Sequence, residues 1–167
     1  MTGGRRAGLS VIPEGPYILK PVSAAGGQSF RYCDTPHSLE EAISGIEWGG
    51  YNCTWSSNDK FLVQEYITGP EYAIDLVIRG DEMVVAAISR YVRLSDMGHW
   101  DFPQVKRFLV IEDPENPEFE PMKEQARKCA AALGIRQGAA HMEFPRSDHG
   151  WHMVEVGARS VFQLPRK

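Results

Sequence analysis

Two short stretches, GAAHMEF at residues 138–144 and WHMVEV at residues 151–156, carry most of the information about this chain. Each mixes apolar residues with single polar ones in the manner of a β-strand. The segment between them, centred on Gly150, predicts a turn, so the two stretches should form a hairpin. Glu143 and Glu155 can then lie opposite each other on one face, one on each arm.

Two carboxylates directly opposite each other on a sheet repel one another. A divalent cation held by carboxylates and by substrate phosphates relieves that repulsion, and Mg²⁺ is normally bound in this way. Arg159 follows Glu155 by four residues and can clamp a phosphoryl oxygen or a substrate carboxylate. The alternative interpretation is an ordinary hairpin with solvated acids on its exposed face.

Histidines around the same hairpin raise a different possibility. His141, His149 and His152 lie close to Asp148, and imidazoles beside an acid suggest zinc. No two of these histidines have helical i, i+4 spacing, however, and no cysteine joins them. Serine-nucleophile catalysis finds no support, because the chain contains no Gly-x-Ser-x-Gly elbow.

The rest of the chain predicts an α+β fold with antiparallel sheets. An amphipathic helix with Met122, Ala126 and Leu133 on one face ends at Gly134. Another helix should begin at a capping box opened by Ser38 and continue to about residue 46. Further strands are predicted at residues 17–21, 30–33, 61–67, 71–79, 83–88 and 107–111. The strand at 71–79 follows from the alternation of Tyr72, Ile74, Leu76 and Ile78 with other residues, and it should form a hairpin with the strand at 83–88 through a turn at Gly80.

Two lobes are expected to meet near Gly69, after a lead-in at residues 1–14 that is rich in glycine, proline and arginine. The smaller lobe covers residues 15–68 and the larger one residues 69–167. The chain contains no internal repeat and no low-complexity segment.

Composition excludes several classes of protein. The 167 residues carry a net charge of −4, and the 18 basic residues are spread along the chain, which argues against a nucleic-acid-binding surface. No stretch approaches about 18 consecutive apolar residues, so no membrane span is expected. The absence of a signal peptide and the odd number of cysteines (Cys33, Cys53 and Cys129) favour a reducing, cytoplasmic location.

Lys20 is followed by a loop of small residues that includes Gly26, Gly27 and Ser29. Such a loop lets backbone N–H groups approach phosphate oxygens, and lysine adds a point charge. The spacing is not that of a Walker motif. A flexible turn beside a surface lysine is the alternative.

A second candidate for ligand binding runs from Gln64 through Glu65 and Tyr66 to Ile67, with Glu71 shortly after. The backbone of a strand end can recognise an adenine edge, and a nearby carboxylate can accept hydrogen bonds from two ribose hydroxyls. An exposed edge strand with outward polar residues would give the same pattern.

Taken in order, these motifs resemble the ATP-grasp superfamily. The resemblance rests on YILKP at 17–21, LVQEYITGPEY at 62–72, GAAHME at 138–143 and VEVGAR at 154–159. The His-x-Glu and Glu-x-x-x-Arg details are closest to the amino-acid ligase branch, the dipeptide-forming and carnosine-synthase-like enzymes. D-alanine–D-alanine ligases and biotin-carboxylase-like enzymes are more distant.

The resemblance implies an ATP-grasp fold with ATP bound between the two lobes. It also implies attack of a substrate carboxylate on the γ-phosphate of ATP, which gives an acyl phosphate that an amine then attacks. The substrates would be amino acids, and the metal would be Mg²⁺, with Mn²⁺ as a substitute. The implied roles are phosphate binding for Lys20 and the loop after it, adenine binding for the backbone around Glu65 and Ile67, ribose binding for Glu71, Mg²⁺ ligation for Glu143 and Glu155, and stabilisation of the transferred phosphoryl group for Arg159.

Two features depart from the superfamily pattern. Members usually have an asparagine metal ligand where this chain has Gly157, which offers no ligating side chain. Members also carry an N-terminal domain ahead of the smaller lobe, residues 15–68, which corresponds to the lid of the superfamily. This chain resembles the ATP-binding core without that domain. A non-catalytic nucleotide-binding fragment that needs the missing domain is therefore the alternative to an active ligase.

Overall fold

The structure is a computed structural model, and it describes residues 15–23, 30–51, 55, 57, 59–92 and 108–159. The described residues belong to two compact units, one ending at Tyr66 and the other beginning at Ile67. Both units are built on antiparallel sheets, as the sequence predicts.

The first unit is a three-stranded sheet in the order β2-β1-β3, with one helix. Tyr17 and Leu19 of the central strand pack with Leu39 of the helix to form a small core. The elements are β1 (Tyr17–Pro21), β2 (Arg31–Cys33), α1 (Pro36–Ser44) and β3 (Phe61–Glu65).

Helix α1 begins earlier than the sequence analysis predicts. The N-cap is Thr35, whose Oγ1 accepts a hydrogen bond from the Ser38 backbone N–H at 3.1 Å, while Ser38 Oγ accepts from the Thr35 N–H. Ser38 is therefore the third residue of the helix rather than its cap. Pro36 fits the first helical position, where no intrahelical bond needs its missing N–H. The helix ends at Ser44, not at residue 46.

Removing this cap has a predictable cost. Thr35→Ala is expected to lower the free energy of unfolding by about 1 kcal/mol, because the Ser38 N–H loses its acceptor. Thr35→Ser keeps the hydroxyl and should stay within a few tenths of a kcal/mol of the parent chain. Urea unfolding monitored by circular dichroism measures both. Equal losses in the two variants would contradict this assignment of the cap.

The second unit contains a six-stranded sheet in the order β6-β5-β4-β7-β8, with β9 also paired to β7. The predicted hairpin of β4 and β5 is confirmed, with Gly80 and Asp81 in its turn. The elements are β4 (Glu71–Arg79), β5 (Glu82–Val92), β6 (Phe108–Glu112), α2 (Glu120–Ala132), β7 (Gln137–Ser147), β8 (Gly150–Trp151) and β9 (Glu155–Gly157).

One face of this sheet forms the hydrophobic core with helix α2. Alternate residues of β4 and β7 supply the sheet side, and a buried Phe119 lies just before the helix. The predicted apolar face of α2 is confirmed for Met122 and Ala126, but wrong for Leu133, which is the C-cap residue and is exposed. The core includes Tyr72, Ile74, Leu76, Ile78, Ile88, Met122, Ala126, Ala130, Ala140, Met142 and Phe144.

The carboxyl-terminal hairpin differs in detail from the expected pair of simple strands. Strand β7 is longer than predicted, and its partner is split into β8 and β9 by residues 152–154. Arg146 pairs with Trp151, whereas Glu143 pairs with Glu155, so the returning arm carries one extra residue. This irregularity has the character of a β-bulge, which re-aims the side chains that follow it.

Cys33 and Cys129 are free thiols, and Cys53 lies outside the described residues. Burial raises the pKa of both described thiols. Cys129 packs against the core, as predicted. In the described part of the chain, the helices are all too short or too polar to cross a membrane.

Candidate functional site

The second face of the larger sheet, opposite the core, is polar. The strand registers place Glu71 and Asp75 of β4 on this face, together with Glu143 of β7 and Glu155 of β9. We call it the acidic face. The polar residues that are buried among those described all lie on it, namely Glu71, Asp75, Ser89 and His141.

The predicted opposition of Glu143 and Glu155 is observed, since the two are Cα partners of β7 and β9. Glu143 is largely buried, with 14% of its side chain exposed, whereas Glu155 is exposed. The extra residue in the returning arm decides this pairing, because the register set by Arg146 and Trp151 would place Val154 opposite Glu143.

Hydrogen bonds fix one oxygen of the Glu143 carboxylate. The Tyr91 hydroxyl donates to Glu143 Oε1 at 3.0 Å, and His141 Nε2 lies 3.7 Å from the same oxygen. Tyr91 belongs to β5, so its side chain reaches across β4 to β7. The β4 residue paired with Glu143 is Ala73, and its small side chain leaves room for this crossing.

His141 continues this network towards β4. Its Nδ1 lies 3.1 Å from Asp75 Oδ1, and its Nε2 lies 3.3 Å from the Tyr91 hydroxyl. Burial lowers the pKa of His141, but hydrogen bonds to Glu143 and Asp75 and the charges of the same two carboxylates outweigh it and raise the pKa above its ordinary value. An imidazolium at this position can donate from both ring nitrogens.

Asp75 and Tyr91 are not among the residues predicted from the sequence. His141 is predicted there only as a candidate zinc ligand and as part of the His-x-Glu motif. A signal for Asp75 existed, because it lies among the residues of β4 that alternate with the apolar core set, and a carboxylate at that position is unusual within a long strand. Nothing in the sequence indicated that Tyr91 would reach Glu143 from two strands away.

The histidine hypothesis receives no support from the described residues. No group of three or more histidine, cysteine or acidic side chains there is arranged to hold a metal ion. His152 Nε2 instead lies 2.8 Å from Ser147 Oγ, and His149 is exposed.

Three other predicted positions lie in the second unit. Glu71 is the first residue of β4 and is buried, with 4% of its surface exposed. Arg159 follows β9 and is exposed. Gly157 has room for a side chain, because a Cβ there would lie 3.6 Å from Arg159 Cγ, an ordinary contact distance.

Two predicted nucleotide-binding residues of the first unit are described, Lys20 for phosphate and Gln64 at the start of the adenine-binding segment. Lys20 is on β1, opposite Leu62 of β3, and Gln64 is opposite Ile18. Both Lys20 and Gln64 therefore occupy the face of the small sheet that points away from helix α1. Three further predicted residues, Gly26, Gly27 and Ser29, lie outside the described part of the chain.

The predicted adenine-binding segment spans the boundary between the units. Glu65 is exposed at the end of β3. The Tyr66 N–H donates to the Pro16 carbonyl oxygen at 2.9 Å, and Ile67, which is half-buried, is the first residue of the second unit.

Comparison with known families identifies the fold. The model of the ATP-grasp domain matches residues 14–164, which is nearly the whole chain. The chain belongs to the ATP-grasp family. Its α+β architecture of antiparallel sheets with few helices agrees with that fold.

Individual relatives share this ATP-grasp region. An uncharacterised protein of Sinorhizobium fredii is 26% identical over 144 residues, which is 86% of this chain and 28% of that protein. Dapdiamide A synthase of Enterobacter agglomerans is 25% identical over 146 residues, which is 86% of this chain and 33% of that enzyme.

A solved structure supports the same fold. The L-amino acid ligase from Bacillus licheniformis superimposes with a TM-score of 0.67 at 22% identity, covering 89% of this chain and 33% of that enzyme. The chain thus spans a third or less of the length of these three proteins.

Proposed function

We propose that this chain is the ATP- and Mg²⁺-binding region of a carboxylate–amine ligase that works through an acyl phosphate. The observation that carries the proposal is the opposition of Glu143 and Glu155 on the acidic face of an ATP-grasp domain. Two relatives, dapdiamide A synthase and an L-amino acid ligase, bear names of amide-forming enzymes. This supports amino acids as the carboxylate and amine substrates.

The chemistry of the donor set fits Mg²⁺. Both residues offer carboxylate oxygens, which hard divalent cations prefer, and Mn²⁺ accepts the same ligands. Mg²⁺ bound there would neutralise charge on the phosphates during transfer. Gly157 contributes no side-chain ligand, so water would complete the coordination on that side.

The remaining assignments follow the ATP-grasp resemblance. Lys20 and the loop containing Gly26, Gly27 and Ser29 would bind phosphate oxygens. The segment Gln64–Ile67 would bind adenine through its backbone, and Glu71 would accept hydrogen bonds from the ribose.

The proposed reaction has two displacements. A substrate carboxylate oxygen attacks the γ-phosphorus of ATP, the bond to the β-phosphate oxygen breaks, and ADP leaves. The amine nitrogen then attacks the acyl carbon, the bond to phosphate breaks, and the amine proton passes to solvent. The Arg159 guanidinium would stabilise the charge on the transferred phosphoryl group.

A second candidate is a nucleotide-binding region that needs another domain of the same enzyme for catalysis. The chain's share of its relatives' length supports it, since each is at least about three times longer. The two candidates share the nucleotide site and differ in whether this chain alone forms product.

Hydroxylamine separates the two candidates because it converts an acyl phosphate into a stable hydroxamate. We expect the chain, supplied with ATP, Mg²⁺ and mixed amino acids, to form hydroxamate. Arg159→Gln should slow this at least about 100-fold, as loss of a group that stabilises transition-state charge does. Arg136→Gln, an exposed arginine near the β4–β5 turn, serves as the matched control and should have no effect.

Other outcomes are equally informative. ATP binding without hydroxamate from any amino acid would favour the non-catalytic candidate. Failure to bind ATP in a folded sample would contradict both.

A further inference from the structure

We propose that Asp75, His141 and Tyr91 are positioning residues that hold the Glu143 carboxylate in the orientation that binds Mg²⁺. The inference deepens the proposed function and rests on Glu143 being a metal ligand. It concerns a hydrogen-bonded chain that runs across three neighbouring strands of the larger sheet.

The chain of contacts is continuous. Asp75 and His141 are Cα partners on β4 and β7, and their side chains meet at 3.1 Å. His141 Nε2 lies 3.3 Å from the Tyr91 hydroxyl, which is 3.0 Å from Glu143 Oε1. The Glu143 side chain is thus linked to strands β4 and β5 as well as to its own strand.

The direction of each hydrogen bond follows from what the groups can donate. Carboxylates only accept, so Nδ1 of His141 must carry the proton shared with Asp75. Tyr91 has a single hydroxyl proton, and it is donated to Glu143 Oε1. The lone pairs of the Tyr91 oxygen can accept a hydrogen bond from His141 Nε2 whenever that nitrogen also carries a proton. Every donor has an acceptor in this arrangement.

The polar side chains of this network are buried, and their burial indicates that they have a role. Asp75 is 4% exposed and His141 is 8% exposed, and burying such groups is costly unless they are paired. Well-packed apolar residues would stabilise a sheet face at least as well as buried charged groups do. A role in orienting Glu143 accounts for the placement of these polar groups beside a candidate metal ligand.

The expected size of the effect follows from other metal sites. Residues that hydrogen-bond a metal ligand fix its orientation, and their replacement typically weakens metal binding about 10- to 100-fold. Loss of the Tyr91 hydroxyl leaves Glu143 Oε1 without its 3.0 Å donor. The carboxylate can then rotate away from the orientation that suits the cation.

The test is titration of the chain with Mn²⁺, followed by loss of the free-ion paramagnetic resonance signal. Tyr91→Phe should weaken Mn²⁺ binding about 10-fold or more. Tyr72→Phe is the matched control, because it removes a hydroxyl from the core face of the same sheet and should leave affinity unchanged. Thermal unfolding of both variants shows whether the fold is retained.

A second measurement tests the contact between Asp75 and His141 in the absence of metal. In ¹⁵N-labelled protein, Asp75→Asn should shift the imidazole nitrogen resonances of His141, because Nδ1 loses a charged acceptor. The same variant should weaken Mn²⁺ binding less than Tyr91→Phe does, since Tyr91 still contacts Glu143.

Glu143→Gln separates this inference from the proposed function. If Glu143→Gln abolishes Mn²⁺ binding while Tyr91→Phe binds as tightly as the parent chain, the positioning role is wrong and the metal site stands. If Glu143→Gln leaves binding unchanged, or the parent chain does not bind Mn²⁺, the metal site is wrong and the positioning role falls with it. Equal weakening by Tyr91→Phe and Tyr72→Phe would also overturn the positioning role.

Discussion

Glu155→Gln is expected to abolish the Mg²⁺-dependent part of nucleotide binding while leaving the fold intact. The introduced amide carries no charge to balance that of a divalent cation. Of the two facing carboxylates, only that of Glu143 would remain. Removing one of two facing acids also relieves their repulsion, so stability should be unchanged or higher by up to about 1 kcal/mol. Displacement of a fluorescent ATP analogue, with and without Mg²⁺, measures the first effect, and urea unfolding measures the second.

Glu115→Gln is the matched control for this experiment. Glu115 is exposed in the turn after β6 and lies outside the acidic face, so its replacement should leave Mg²⁺-dependent binding unchanged. Retention of Mg²⁺-dependent binding in Glu155→Gln would remove the hairpin from the nucleotide site.

Gly69→Ala is expected to have the largest effect on stability, a loss of about 3 kcal/mol. Gly69 has a φ of +139°, which side-chain-bearing residues rarely adopt. A Cβ at this position would also lie 2.0 Å from the Arg146 carbonyl oxygen, far inside contact distance. The backbone must shift, which disturbs the 2.9 Å hydrogen bond from the Arg146 N–H to the Pro70 carbonyl oxygen.

Gly80→Ala separates the close contact from backbone strain alone. Gly80 also has a positive φ, +63°, but a Cβ there would meet nothing within 4 Å. Its replacement should cost only about 1 kcal/mol, from the left-handed conformation. Urea unfolding of both variants makes the comparison. A loss for Gly69→Ala no greater than that for Gly80→Ala would contradict the close approach of Gly69 to Arg146.

Much of the architecture was predictable because local signals agree with the tertiary structure. The alternation of Tyr72, Ile74, Leu76 and Ile78 predicts β4 and its buried face, and the observed core contains all four. Gly80 identifies the hairpin turn between β4 and β5. These features depend on patterns within a few residues, which the sequence displays directly.

The strand register and the side-chain hydrogen bonds between strands were harder to predict from the sequence. The extra residue between β8 and β9 has no clear local signature, although it places Glu155 opposite Glu143. The contact of Tyr91 with Glu143 joins residues that are far apart in the chain and on strands that are not neighbours. Such contacts depend on the assembled sheet, so no window of sequence contains them.

The N-cap of helix α1 was predicted at the wrong residue for a different reason. Thr35 and Ser38 are both good N-cap residues, and the glutamate that follows Ser38 by three positions drew the prediction to the wrong one. The proline at position 36 was the better signal, because it favours the first turn of a helix.

We propose above that the acidic face binds nucleotide together with Mg²⁺. Calorimetric titration of the purified chain with a non-hydrolysable ATP analogue, with and without Mg²⁺, tests it most directly. We expect binding that is markedly tighter with Mg²⁺ and that loses this dependence in Glu155→Gln. Equal affinity with and without Mg²⁺, or no binding by a folded sample, would contradict it.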